Sequence, residues 1–460
     1  MTGRGPLTMT NENTAERKLL WAGLAILAAA FAFGGGGSKY GSANLIVQLI
    51  ALVALSFHRA AFFDFWRTAP LSVKALTGLT ILLPVLQIVP LPASVWNALP
   101  GRELMIQSLE LVNANDWATL SVDPIRTLLA LSAIIAPLAI LTIGWQAPRG
   151  TLITLGWFAV AIGLVNLALG VPQVLSNSEV GVLYPENPMP GVLFGTFANR
   201  NSTGVFLVGA LAFAALLLVP ARFQQLGVWA RPAICALLLL AILLTRSRTA
   251  IVLAAIPLGL VAMKYILARL GSAASARAAW VAIIPAVLVI GAVGMLAVTS
   301  PGRVAEVVDR FEGSGTDARV FIWEDAAYSA QRYFPVGSGM GTFDDVFQID
   351  ESLENMTLRR AGRAHNDYLE VAIEAGVPGL VLIAAWLVLL AGLAWRARKA
   401  RDRWIAWSGG TFLLAAALQS ITDYPLRNQS LLVFGAFALV ILIRFGTDEA
   451  GRPARTEKQA

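Results

Sequence analysis

His365 is one of only two histidines in this 460-residue chain, and it closes a long polar segment. The stretch runs Arg363-Ala-His365-Asn366-Asp367-Tyr-Leu-Glu370-Val-Ala-Ile-Glu374-Ala-Gly376-Val-Pro378-Gly379. Leu369, Ala372 and Ile373 recur at helical spacing, while Glu370 and Glu374 share the opposite face, which predicts a helix stopped by Gly376 and Pro378. His365 then stands at or just before a helix start, where the macrodipole disfavours an imidazolium and attracts anions. A neutral imidazole beside an anion site is what a general base needs. The competing reading is a capping or packing histidine in an ordinary loop.

The second chemical set is basic. Arg200 lies between Asn199 and Asn201, Arg246 and Arg248 flank Ser247, and Arg319 opens a predicted helix over about 318–333. That helix has Asp317 as its expected N-cap and Val320, Trp323, Ala327 and Ala330 as its apolar face. Guanidinium binds phosphate bidentately and keeps its charge, so three or four arginines converging with one histidine point to a bound polyanion. Two other patterns carry less. Gly337-x-Gly339-x-Gly341 lacks the preceding strand and final glycine spacing of a nucleotide fingerprint and reads as a structural turn. Asp344-Asp345 and Glu324-Asp325 have no histidine at ligand spacing, so a solvated face is expected and no metal or other cofactor.

The elements that must position these groups are membrane helices. The chain is 57% hydrophobic and 14% charged, with mean hydropathy +0.67, against about 25% charged for a soluble domain. The expected class is all-α and polytopic. Apolar segments fall at roughly 19–36, 42–58, 71–91, 125–143, 151–170, 203–219, 233–245, 249–267, 279–298, 377–395, 405–421 and 429–444, most near the length that spans a bilayer. The triplet Arg246-Ser247-Arg248 reads as a tight helical hairpin. Residues 1–18 and 445–460 read as polar tails, the first without structure. No cleavable signal peptide is evident. The single cysteine, Cys235, lies in an apolar run, which rules out an intrachain disulfide.

Twelve spans put both termini on one side. Placing them in the cytoplasm puts 21 of the 35 Lys and Arg inside and seven on short outer loops, with seven more in the long loop 299–376, as the positive-inside rule requires. The net charge of +7 is therefore topological, and no nucleic-acid partner is expected. Segment 92–124 reads as an interfacial cover, and Arg126 and Arg427 as side chains reaching lipid phosphate. His58 reads as an interface anchor. A transporter or flippase of polysaccharide precursors is the rival class. It is disfavoured because charge gathers in outer loops rather than at span centres.

His365-Asn366, nine residues, then Gly376-Val-Pro378-Gly379 resembles the histidine signature of the superfamily of O-antigen ligases and Wzy-type O-antigen polymerases. Ser247-Arg248-Thr249-Ala250 resembles that family's Ser-Arg-Thr turn. Arg319 with Trp323, followed by Pro335 and the glycine turn to Phe343, resembles the approach to the histidine, and Gly195 to Asn201 the opening of the domain. The resemblance implies a core over 195–379, flanked by membrane helices at 19–194 and 380–444. It implies a metal-independent glycosyltransferase that moves a glycan from an undecaprenyl-diphosphate carrier to an acceptor hydroxyl. The acceptor is lipid A core, a growing glycan or a protein, and the site faces the periplasm from a bacterial inner membrane. His365 is then the expected base, Arg248 and Arg319 the first choices for the departing diphosphate, and Arg200, Arg246, Asn199, Asn201 and Asn366 substrate contacts. Glu370 and Asp367 are the candidates to orient His365.

Overall fold

The computed structural model describes residues 6–114, 116–184, 189–220, 223–270, 318–356 and 360–447. The expected span 279–298, the proposed cap Asp317, most of the tail 445–460 and the first part of loop 299–376 lie outside them.

Among the described residues the chain is all-α apart from one small two-stranded sheet. In order come α1 (Pro6–Phe33), a 3₁₀ turn (Gly34–Gly36), α2 (Gly41–Phe57), α3 (Arg59–Thr68), α4 (Leu71–Ile88), β1 (Pro90–Pro92), α5 (Ala93–Trp96) and α6 (Glu103–Leu111). Next are β2 (Trp117–Thr119), α7 (Pro124–Ser132), α8 (Ile135–Gln146), α9 (Arg149–Leu175), α10 (Arg200–Leu216), α11 (Gln224–Leu244), α12 (Arg248–Leu253) and α13 (Ala255–Leu270). The last part holds α14 (Ala318–Arg332), α15 (Phe343–Asp350), α16 (Asp367–Ala397), α17 (Arg403–Gln419), a 3₁₀ turn (Pro425–Arg427) and α18 (Gln429–Gly446). β1 and β2 are antiparallel, with Leu91 opposite Ala118.

Among the described residues seven helices are long and apolar enough to cross a membrane, or eight if the α2–α3 pair, bent by 80°, is one span. This is a multi-pass membrane protein. Eleven of the twelve apolar segments read from the sequence fall on helices. α18 is the hub: Phe434 packs against Phe31, Phe206, Phe213 and Phe412 from α1, α10 and α17. Gly409 of α17 allows that packing, since a Cβ there would strike the Ala438 carbonyl, the close approach small residues provide between apolar helices. By contrast α16 leaves Val381 and Val388 exposed along a span that is almost wholly outward-facing.

A second cluster caps one end of the bundle. Ala326, Tyr333, Phe343, Val346, Phe347, Ala364 and Ile373 bury one another, with Val122 of the 92–124 segment packed alongside. Gln87 Nε2 donates to the Glu374 carbonyl at 2.9 Å, and its Oε1 accepts from Met340 N at 2.9 Å. Buried Arg102 donates to the Gly337 carbonyl at 3.0 Å. The expected cover is thus hydrogen-bonded to the glycine turn. Gly337, Gly339 and Gly341 all have positive φ, 86°, 114° and 86°, and a Cβ at Gly337 would lie 2.5 Å from the Ala375 nitrogen. They form a structural turn that only glycine enters cheaply.

Several expectations are corrected. Residues 6–18 continue α1 instead of lacking structure. The inward face of α14 is Ile322, Trp323, Ala326 and Ala330, whereas Val320 is 55% exposed and Ala327 is exposed. The helix packs against α15 and α16, and it carries apolar residues on its exposed face as well. Arg126 does not reach for lipid phosphate: it pairs with Asp345 at 3.3 Å and Asp344 at 3.7 Å. Arg427 is buried among carboxylates. Asn166 is a polar residue fully buried inside α9.

Candidate active site

The site is built where α16 begins. Gly376 (φ 54°, ψ −142°) breaks α16, so the turns Asp367–Ala375 form a short helix ahead of the outward-facing span, as the Gly-x-Pro signal predicts. Asn366 caps it, its Oδ1 accepting from Leu369 N at 3.1 Å. His365 precedes the cap and is held at φ 51°, a left-handed conformation that costs a non-glycine residue about 1–3 kcal/mol and collects at functional sites. Its neighbour holds it there. Ala364 N donates to Glu370 Oε1 at 3.0 Å, and Trp323 Nε1 of α14 donates to the Ala364 carbonyl at 2.8 Å.

The partner of the imidazole is Asp423, from the loop between α17 and α18, with Nδ1 3.2 Å from Oδ1. Asp423 is buried, and burial alone would raise its carboxyl. The His365 hydrogen bond and charge, a hydrogen bond from Asn201 and the charge of Arg319 outweigh that and hold it below the ordinary carboxylate range. An ionised carboxylate only accepts, so Nδ1 carries a proton toward it, and in the neutral ring Nε2 is then the nitrogen with the lone pair. Asn199 Nδ2 donates to the other oxygen, Oδ2, at 3.0 Å. Tyr424 packs edge-on to the imidazole at 5.0 Å, and burial pushes its phenol up. The His365 side chain remains 34% exposed while Asp423 is 2% exposed. This is a supported imidazole with one open face.

Four of the residues read from the sequence therefore converge on Asp423: His365, Asn199, Asn201 and Arg319. Asn199 does double duty, since its Oδ1 caps α10 by accepting from Asn201 N at 2.8 Å. Arg319 sits one turn before Trp323 on α14. Arg200 is the first residue of α10, half-buried. The loop before it is fixed from within the membrane: Gln173 of α9 accepts from Phe194 N and Gly195 N at 2.9 Å each, and Asn166 from Thr196 N at 2.8 Å.

Arg246 and Arg248 stand on the turn between α11 and α12, both exposed. Ser247 caps α12. Arg246 has φ 50° and turns its guanidinium toward the Pro190 carbonyl at 3.5 Å. The turn packs against α10 at Gly204, where a Cβ would collide with that of Ala250, one turn beyond Arg200. Asn366 acts as a helix cap. Neither carboxylate expected to orient His365 does so: Glu370 and Asp367 point to Arg363, Arg427 and backbone amides. Sequence reading missed Asp423, Tyr424, Asn166 and Gln173. Asp423 had a signal, being the one acid of the polar loop Thr422 to Asn428 between two apolar runs.

Residues 233–384 match the O-antigen ligase family. This segment is similar to an O-antigen ligase domain. It contains His365, Arg319, Arg246 and Arg248, while Asn199, Arg200, Asn201 and Asp423 lie on either side of it in the chain. No curated protein matches the chain.

Proposed function

We propose that the chain transfers a glycan from an undecaprenyl-diphosphate carrier to an acceptor hydroxyl at the outer face of a bacterial inner membrane. The acceptor is lipid A core or a growing glycan, which makes the protein an O-antigen ligase or a polysaccharide polymerase. The observation that carries the reading is the half-open imidazole of His365 on an ionised, buried Asp423, with Arg319 beside them.

The chemistry follows from these groups. Nε2 of His365 takes the proton of the acceptor hydroxyl as that oxygen bonds the anomeric carbon, and Asp423 stabilises the imidazolium that results. The bond from the anomeric carbon to the diphosphate oxygen breaks, and its electron pair leaves with the lipid diphosphate. Fixed guanidinium groups stabilise that charge in a metal-independent way; Arg319 and Arg248 are the first candidates, with Arg200 at the start of α10 and Arg246 on the turn before α12 next. Attack from the face opposite the diphosphate inverts the anomeric centre. The twelve-span arrangement, with both termini cytoplasmic and the loop 299–376 periplasmic, belongs to the same reading. The positive-inside distribution supports it.

The test gives membranes containing the protein a polyprenyl-diphosphate-linked oligosaccharide and follows free lipid diphosphate and glycan length. Transfer that vanishes in His365→Ala at equal protein level is expected. Chains of many repeats identify a polymerase, and a single transfer to lipid A core a ligase. No donor consumption by the wild-type protein would defeat the proposal.

A further inference from the structure

The loop that carries Asp423 is stitched to α16 at both ends. At one end Ser420 Oγ donates to Asp367 Oδ2 at 2.9 Å, and Asp367 N donates to the Ser420 carbonyl at 2.9 Å. At the other, Leu426 N donates to Asp367 Oδ2 at 3.0 Å. Arg427 then reaches along α16, 3.5 Å from Asp367, 3.2 Å from Glu370 and 2.7 Å from Glu374. The three acids stand one turn apart on one helical face and are 1%, 0% and 0% exposed.

Such a group is a poor way to gain stability. Taking ions out of water costs more than their pairing commonly returns, and apolar side chains of the same size would do as well or better. What charges provide is direction, since a guanidinium between fixed carboxylates has one low-energy position. That position matters here because α16 also fixes His365: Glu370 accepts from Ala364 N, the residue before it.

We propose that Arg427 and the buried acids of α16 are positioning residues, which register the Asp423 loop against the helix that holds His365 and so set the separation of the two reacting partners. None of them touches substrate. The inference rests on the function proposed above and adds a residue at which that function is controlled from outside the site.

Arg427→Gln alone leaves three acids facing too little positive charge, so loss of folded protein is expected. The informative variant is Glu374→Gln/Arg427→Gln, which removes one charge of each sign. Proteoliposomes holding equal folded protein are assayed with a polyprenyl-diphosphate-linked oligosaccharide. Positioning predicts that the double variant accumulates as wild type does, with kcat down at least about 10-fold and KM for the donor within about 2-fold. It also predicts non-additivity: Asp423→Asn in that background costs less than about 3-fold, far below its cost in the wild-type chain, because both changes disable one pair.

A double variant with wild-type kcat overturns the inference, and so does full additivity with Asp423→Asn. If the double variant fails to accumulate, Arg427→Lys is read by the same two criteria. Wild-type rates in His365→Ala and Asp423→Asn would instead defeat the functional reading itself, which separates the two failures.

Discussion

Asp423 and Arg427 lie four residues apart on one loop, and both find their partners at the start of α16, an imidazole for the first and carboxylates for the second, yet their surroundings differ. Asp423 pairs with an imidazole that is 34% exposed. Arg427 pairs with carboxylates that water does not reach. The first pair leaves the imidazole partly exposed, and in the proposed reaction that ring takes the proton of the incoming hydroxyl. The second pair is enclosed, and its charges serve to fix backbone. Exposure of one partner, with the other buried, separates the chemistry from the frame.

That contrast breaks apart under mutation. Largest should be Asp423→Asn, which removes the stabiliser of the imidazolium and lowers transfer about 10²–10⁴-fold while the protein accumulates as before; a steady-state rate at matched protein level measures it. Arg319→Lys keeps the charge but loses the bidentate fork, and about a 10-fold or greater loss of kcat is expected. Arg427→Ala should show the opposite profile, a fall in stability of about 3–5 kcal/mol from carboxylates left without their partner, read as a lowered thermal midpoint.

A pH series sharpens the comparison. Asp423 is held below the ordinary carboxylate range in the folded state, so its contribution to stability is fully present above that range and is lost as pH falls through the lowered value. The stability difference between wild type and Asp423→Asn should stay flat from neutral pH down to about pH 4 and shrink only below it. Smallest is Arg126→Ala. Its ion pairs are 42% exposed on the arginine side, and a change under about 1 kcal/mol is expected by the same thermal measurement.

Much of this was legible in the chain. Apolar segments located the helices because span length is set by the bilayer, and Gly376 with Pro378 located the break in α16. His365 stood out as a polar residue at a helix start. What could not be read were pairings across long separations. Asp423 meets His365 across 58 residues, and nothing local in Thr422-Asp423-Tyr424-Pro425 says which side chain it will face. Arg427 was mistaken for a lipid contact for the same reason, since its carboxylates come from another helix. The face of α14 was misjudged because apolar residues such as Val320 and Phe321 also stand on its exposed side.

The central claim is that the open nitrogen of His365 accepts the proton of the acceptor. It is tested most directly by chemical rescue in proteoliposomes carrying His365→Ala, supplied with a polyprenyl-diphosphate-linked oligosaccharide and rising concentrations of imidazole. The account predicts transfer reduced at least about 100-fold without imidazole and a saturable recovery with it, since the site is open to small molecules. Transfer at the wild-type rate in His365→Ala without any imidazole would contradict it.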